Sequence, residues 1–258
     1  MTDLSSTLIE SPFSFATKNR IVYNPDNRTE VDNFYTTPWN GIGVVKAAVL
    51  GPVSGTINSY STGALLDSRH VLTAAHGLYF GNSKWVAPSG LCFYPGVGTF
   101  GTNPPSVNGV YYASEFFLPG VFDGNLPATE KINSFRYDYA IIKLKDPVPN
   151  SVMTYSIVNL SDDQIRAASF SMTGYSGDKW PNENTPVMTK DVGKADQFSD
   201  HLIYPHVSIT SGGSGSPLMH QKNTISGMMV GGERYGNANI ALRITDDVLA
   251  QIQVWMKE

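Results

Sequence analysis

The sequence has few charged residues and a single cysteine, and each shortage excludes some classes of protein. Charged residues make up 16% of the 258 residues against 41% hydrophobic ones, a balance typical of folded globular proteins. The formal net charge of -4 leaves no basic surplus to neutralise phosphates, so we expect no nucleic-acid partner. Because Cys92 stands alone, no disulfide can form within the chain, and the fold must rest on its core.

Long apolar runs are also missing. No run approaches the roughly 20 residues that a membrane-spanning helix needs, so we expect no membrane partner. The first 20 residues lack a basic start followed by an apolar core, and they do not resemble a signal peptide. Cys92 lies in an apolar setting without a neighbouring base, which predicts a buried side chain rather than a nucleophile.

The sequence does contain many short β-prone runs separated by Gly, Pro, Asn and Ser. This pattern predicts an all-β fold, either a barrel or a sandwich. The candidate strands lie at 43–50, 61–66, 70–73, 109–117, 140–144, 169–175, 187–192, 201–208, 224–230 and 239–244. The proline-containing segment 146–150 predicts a linker between two sub-barrels.

The C-terminal segment departs from this pattern. Thr245 followed by two aspartates supplies a helix N-cap and an acidic first turn. Val248, Ile252 and Trp255 then recur at helical spacing, which predicts an amphipathic helix over about 245–257. We expect its apolar stripe to pack on the same domain.

Three local segments carry candidate chemistry, and each has an ordinary structural explanation when taken alone. His76 ends an apolar run, and most histidines in that position are loop residues. Asp138 opens an apolar strand, where a surface turn is an equally common explanation. Ser214 lies among glycines, which can either form a flexible loop or point consecutive N–H groups at one spot.

Taken together, the three segments favour nucleophilic catalysis. In acyl transfer a serine hydroxyl needs a base to take its proton, and the base needs a carboxylate to orient it. His76, Asp138 and Ser214 supply these groups in the chain order His, Asp, Ser. The α/β-hydrolases use the order Ser, Asp, His, so that class is excluded.

The segments 71–76, 138–144 and 212–217 resemble the trypsin/chymotrypsin family, and more closely its bacterial V8-like branch of glutamyl endopeptidases. Stretches at 26–31, 93–96, 174–180 and 243–245 are similar to that branch too. The resemblance implies a double six-stranded β-barrel with the active site between the barrels. It implies a peptidase domain over 21–258, with barrels at about 21–146 and 150–244 before the C-terminal helix.

The resemblance also implies a function, that of a serine endopeptidase acting on proteins or peptides through an acyl-enzyme. Ser214 would be the nucleophile, His76 the general base and acid, and Asp138 the orienting carboxylate. The backbone N–H groups of Gly212 and Ser214 would form the oxyanion hole. We expect a secreted monomer without cofactor or metal. The competing class is a catalytically silent binding protein on a protease fold.

The substrate pocket departs from the glutamate-selective members of the branch. The pocket positions that the resemblance implies are Ser208, Ile209, Met229, Val230 and Gly231. Glutamate-selective enzymes have a histidine where this chain has Met229 and a threonine where it has Ile209. Because an unpaired buried carboxylate is costly, we expect cleavage after apolar or small neutral residues to exceed cleavage after Glu. His206 and His201 are the nearby residues that could substitute as a partner for Glu.

A processing site is predicted at Arg20–Ile21, where a basic residue precedes an Ile-Val pair. The following segment resembles the mature start of V8-like enzymes, so residues 1–20 would be a propeptide. The alternative is a polar lead-in to a strand. Gly213 stands where trypsin has the aspartate that pairs with the new α-amine, so the partner of that amine must differ here.

Overall fold

Two β-sheets form the framework of the described residues, which are 20–50, 56–81, 84–100, 108–122, 134–232 and 238–258 of this computed structural model. All strands of the first sheet lie before residue 145. A short strand near the N-terminus lies in the same part of the chain but joins the second sheet. The all-β prediction from the sequence is confirmed.

The first sheet is a closed barrel of six antiparallel strands. Its strands are β2 (Ile42–Leu50), β3 (Thr56–Leu65), β4 (His70–Thr73), β5 (Leu91–Pro95), β6 (Tyr111–Phe117) and β7 (Ala140–Leu144). They pair in the order β2-β3-β4-β7-β6-β5, and β5 returns to β2. Val44 and Val45 of β2 are both fully buried but belong to different apolar cores, because successive side chains of a strand point to opposite faces.

Among the described strands, the second sheet does not close on itself, because its two edge strands do not pair with each other. Its strands are β1 (Thr29–Glu30), β8 (Ser156–Ile157), β9 (Phe170–Gly174), β10 (Thr189–Gly193), β11 (Ala195–Phe198), β12 (Leu202–Pro205), β13 (Pro217–Gln221), β14 (Thr224–Gly232) and β15 (Asn239–Arg243). The order is β1-β10-β9-β13-β14-β15-β12-β11, and β8 pairs with β14. The second unit is therefore a half-barrel beside the closed one. The division at about residues 146 and 150 stays a prediction.

The N-terminal segment lies along the second sheet before the chain enters the first barrel. In β1, Thr29 pairs with Lys190 and Glu30 pairs with Thr189 of β10. The backbone N–H of Val31 also donates to the carbonyl of Met188, at 3.0 Å. These bonds hold the chain that follows residue 20 against the second unit.

Two helices follow the first barrel among the described residues, α1 (Asp162–Ala167) and α2 (Asp246–Trp255). The sequence analysis missed α1, although Ser161 and Gln164 form a capping box. In α2 the Thr245 side chain accepts from the Val248 N–H, as the sequence predicted. The Trp255 ring packs near Tyr139, with ring centroids 5.6 Å apart, so this helix joins the second unit to the first barrel.

Cys92 lies buried on β5 of the first barrel. Burial raises the pKa of its thiol. The protonated form is therefore favoured at neutral pH, as expected for a packed side chain.

Candidate active site

Adjacent strands of the closed barrel bring His76 and Asp138 together. Strand β4 pairs antiparallel with β7, with Thr73 opposite Ala140. The chain leaves β4 into a 3-10 turn, Ala75–Leu78, that carries His76. Asp138 stands just before β7 begins, at the same end of the strand pair. The topology therefore explains why two residues far apart in sequence meet.

The three reactive side chains form one line of contacts. Asp138 Oδ2 lies 2.6 Å from His76 Nδ1, and Asp138 Oδ1 accepts the His76 backbone N–H at 2.9 Å. The carboxylate is buried, so these two donors offset its desolvation. His76 Nε2 lies 2.6 Å from Ser214 Oγ. This arrangement can pass the hydroxyl proton to the imidazole while the carboxylate stabilises the resulting charge.

The loop that carries Ser214 is fastened to both units. The Thr62 N–H on β3 donates to the Ser214 carbonyl at 2.7 Å, and the Gly215 N–H donates to the Met229 carbonyl at 2.8 Å. Gly215 has a φ of +83°, and a Cβ there would overlap the Thr62 carbonyl oxygen. Only glycine fits this position, which accounts for the glycine after the serine.

Two backbone N–H groups of the Ser214 loop have no hydrogen-bond acceptor among the described residues. The Gly213 N–H donates to the Thr210 carbonyl and the Ser216 N–H to the Gly213 carbonyl, each at 3.1 Å. Within the part of the chain that the structure describes, the N–H groups of Gly212 and Ser214 donate to no protein acceptor. Buried N–H groups are rarely left unpaired, so this pair is suited to an oxyanion.

Arg20 occupies the space over the reactive hydroxyl. Its guanidinium donates to Ser214 Oγ, lies 3.4 Å from His76 Nε2, and donates to the Thr210 carbonyl at 3.1 Å. Burial lowers the pKa of the Arg20 guanidinium to about 10, and the Asp138 carboxylate opposes that shift. At neutral pH the site therefore holds a cation from its own chain.

The residue after Arg20 is held by a buried amide that the sequence analysis did not single out. The Ile21 N–H donates to Asn239 Oδ1 at 2.9 Å, and Asn239 Nδ2 donates to the Ile21 carbonyl at 2.8 Å. The Ile209 N–H also donates to that carbonyl, at 3.1 Å. The available signal was a polar amide that opens strand β15 and is followed by three apolar residues.

The sequence matches the Trypsin family over residues 45–249. The chain belongs to the trypsin family. The prediction of a trypsin-type chain near the V8-like branch is confirmed by its relatives. A Bacillus licheniformis protein named glutamyl endopeptidase is 25% identical, covering 95% of this chain and 71% of the relative. A Bacillus subtilis protein named extracellular metalloprotease is 24% identical, covering 92% of this chain and 70% of the relative.

Solved structures of the trypsin family share the fold. A glutamyl endopeptidase in complex with MPD superposes with a TM-score of 0.76 at 25% identity, covering 92% of this chain and all of the other. The scabies mite inactivated protease paralogue S-I1 superposes at 0.62 with 16% identity, covering 85% and 96%. The trypsin-like fold is thereby confirmed. Because an inactivated paralogue shares it, the fold alone does not decide whether a chain is active.

The predicted pocket positions, which were inferred from the family resemblance, do not lie in one environment. Ile209 and Met229 are buried in the apolar core of the second sheet, whereas Val230 is buried in the core shared by both units. A Cβ on Gly231 would lie 2.8 Å from the Phe135 ring, so this glycine permits a close approach. Met229 and Ile209 therefore belong to the same cluster of buried apolar residues.

Ser208 lines a cavity of about 250 Å³, together with His206 and without the other predicted pocket residues. The Ser208 N–H donates to Asp191 Oδ2 at 2.6 Å, and its Oγ accepts the Tyr23 N–H at 3.0 Å. His206 stacks on the Tyr23 ring and pairs with Asp196 at 3.1 Å. The sequence analysis missed Asp191, whose buried carboxylate would repel an anionic substrate side chain near Ser208.

Metal-ligand clusters and membrane-spanning helices are absent from the residues that the structure describes. No group of three or more His, Cys, Asp or Glu residues in the described ranges is arranged to hold a metal ion. No helix there is long and apolar enough to cross a membrane.

Proposed function

We propose that this trypsin-family chain is a serine endopeptidase with Ser214 as nucleophile, His76 as general base and acid, and Asp138 as orienting carboxylate. One observation carries the proposal: the two 2.6 Å contacts that link Asp138, His76 and Ser214 in line. Family membership implies protein or peptide substrates. We propose that the enzyme is secreted and works as a monomer, and one relative is named extracellular.

Each residue has one part in the proposed reaction. Ser214 Oγ attacks the peptide carbonyl while its proton moves to His76 Nε2, and Asp138 stabilises the imidazolium. The N–H groups of Gly212 and Ser214 bind the oxygen that becomes negative. His76 then gives the proton to the leaving amine, which leaves an acyl-enzyme. Water hydrolyses this ester by the same steps, with His76 again as base.

The competing function is a catalytically silent binding protein. A fluorophosphonate probe discriminates between the two, because it reacts with an activated serine and not with the fold alone. We expect the full chain, cut after Arg20 by immobilised trypsin, to take one label on Ser214, located by mass spectrometry. Ser214→Ala should abolish labelling. The control is Ser211→Ala, an exposed serine in the same loop, which should leave labelling intact. Absence of label from the cut, folded chain would support the silent alternative.

We further propose that Arg20–Ile21 is a processing site and that residues 1–20 are an inhibitory propeptide. The guanidinium of Arg20 contacts both Ser214 Oγ and His76 Nε2, where it obstructs the nucleophile and its base. Because the side chain and not the Arg20 carbonyl meets Ser214 Oγ, this arrangement favours a cut by another molecule. The contact of Ile21 N with Asn239 Oδ1 already exists, so the new α-amine would remain in place.

The specificity of the proposed enzyme gives a direct prediction. In a digest of a peptide library with varied residues before the cut, cleavage after apolar or small neutral residues should exceed cleavage after Glu. The physical reason is that the Asp191 carboxylate beside Ser208 repels an anion, and that the buried, apolar Met229 and Ile209 offer a carboxylate no polar partner.

The matched variant for this digest is His206→Gln. His206 is the histidine on the cavity that Ser208 lines, so it is the available partner for an acidic side chain. We expect His206→Gln to leave the cleavage profile unchanged. A profile dominated by cuts after Glu that disappears in His206→Gln would show that the specificity prediction is wrong.

A further inference from the structure

The peptide bond between Ser211 and Gly212 has its orientation set by a neighbouring loop. The Ser211 carbonyl accepts the Gly177 N–H at 2.6 Å. In a planar trans peptide, the C=O and the following N–H point in opposite directions. The Gly212 N–H is therefore turned away from Gly177. If the Gly177 bond were lost, the peptide could rotate and present its carbonyl oxygen where the N–H now points.

The loop that holds this peptide is itself fastened to Thr210. The Thr210 hydroxyl donates to Asp178 Oδ1, and the Thr210 backbone N–H donates to Ser176 Oγ at 3.4 Å. A Cβ on Gly212, where φ is +90°, would lie 2.5 Å from the Tyr175 carbonyl oxygen. The two loops thus lie in close backbone contact over residues 175–178 and 210–212.

Arg28 is the anchor of this loop pair. Its guanidinium donates to Asp178 at 2.8 and 2.6 Å and to Asp26 through Nε and Nη2, both at 2.9 Å. The Arg28 side chain is only 1% exposed, so it has little freedom to leave its two partners. Planar two-point contacts of this kind fix geometry as well as charge.

The charges of this cluster support one another. Burial alone would lower the pKa of Arg28, but its bonds to Asp178 and Asp26 outweigh burial and raise it. Burial likewise acts to raise the pKa of Asp178, but its bonds to Arg28 and Thr210 outweigh burial and lower it. The ion pair is therefore fully charged at neutral pH.

We infer that Arg28, acting through Asp178 and Thr210, is a positioning residue that keeps the Gly212 N–H aimed at the developing oxyanion. The inference rests on the proposed peptidase function, since it concerns the same site. Arg28 contacts neither Ser214 nor His76 among its recorded partners, so its effect on the reaction passes through the loops. Oxyanion stabilisation depends on donors fixed before the reaction, so a freely rotating peptide would lower kcat with little effect on KM.

The test uses the full chain in its more active form, cut or uncut after Arg20, and compares kcat and KM on one peptide. Thr210→Val removes the hydroxyl that donates to Asp178 with little change of shape. We expect it to lower kcat about tenfold, with KM within about twofold. Arg28→Gln should lower kcat about 100-fold, and Arg28→Lys should fail to restore it, because an ammonium cannot replace the planar two-point contact.

The matched control is Lys179→Gln. Lys179 lies beside Asp178 and belongs to the same cluster, but it pairs with Asp26, at 2.9 Å. We expect its kcat to stay within about twofold of the unmodified chain. The double variant Thr210→Val/Asp178→Asn should have a kcat no lower than that of its less active single variant. Both changes break the same hydrogen bond, from the Thr210 hydroxyl to Asp178.

A second readout separates this inference from the proposed function. NMR-detected exchange of the Gly177 amide proton, which donates to Ser211, should accelerate in Thr210→Val and Asp178→Asn but not in Lys179→Gln. If the unmodified chain hydrolyses no peptide and takes no phosphonate label, the proposed function fails, and this exchange measurement still tests the loop contact. If kcat and the exchange of the Gly177 amide both stay unchanged in Thr210→Val and in Asp178→Asn, the positioning role of Arg28 is overturned.

Discussion

Ser214→Ala and His76→Ala should each reduce kcat by roughly 10⁵- to 10⁶-fold while the protein stays folded. The two side chains act as one unit, because the hydroxyl is reactive only when Nε2, 2.6 Å away, takes its proton. The double variant should therefore be little worse than either single one. Initial rates on a peptide substrate, measured at equal concentrations of purified, folded protein, check this result.

The size of the loss is informative only if the fold survives. Circular dichroism and thermal unfolding should show each variant close to the unmodified chain, since only one hydroxyl or one partly exposed ring is removed. In the unmodified chain the rate should rise over roughly pH 6 to 7, where imidazoles lose their proton and become bases. Strong residual hydrolysis by purified Ser214→Ala would refute the assignment of the nucleophile.

The candidate catalytic groups could be proposed from the sequence because each one lies in a segment with a clear local pattern. The runs 70–73 and 140–144 were predicted with the bounds that β4 and β7 have in the structure. His76 and Asp138 lie just outside these strands, so an error of one or two residues would not have hidden them. Ser214 was marked by glycines, two of which, Gly212 and Gly215, have the positive φ that the loop requires.

The contacts that fasten these groups could not be predicted, because they join segments with no local relation. Arg28 meets Asp178 across 150 positions of sequence. Arg20 meets Ser214 across 194. No periodicity or turn signal encodes such a pair. Strand β13 was missed for a different reason: it begins at Pro217, directly after glycines and serines that are typical of a loop.

Counting along the chain also has a physical limit. Met229 and Ile209 were placed in the substrate pocket by their distance from Ser214, and the structure buries both in the core of the second sheet. Strand β14 has a register shift between Met229 and Gly231, and such a bulge changes which face the following side chains occupy. The pocket assignment therefore stays a prediction that the library digest must test.

Cutting the chain after Arg20 should raise the rate of Ser214 phosphonylation by at least about 100-fold. In the uncut chain the guanidinium lies 3.4 Å from His76 Nε2, so the imidazolium formed during attack would face a second cation. Like charges about 4 Å apart cost roughly 4 kcal/mol at an effective dielectric constant of 20. Each 1.36 kcal/mol of barrier is about tenfold in rate, so the penalty amounts to roughly 10²- to 10³-fold.

Mass spectrometry of a partly cut sample measures both rates in one tube, because the cut and uncut chains differ in mass and each gains the same label. The uncut Arg20→Gln variant separates the side chain from the rest of the propeptide. It keeps residues 1–19 but removes the cation from Ser214 and His76, so we expect it to label much faster than the uncut chain. Lys18→Gln removes an equal charge two positions earlier and should change nothing. Equal labelling of the cut and uncut chains would show that residues 1–20 do not inhibit the site. Slow labelling of Arg20→Gln would instead assign the inhibition to another part of that segment.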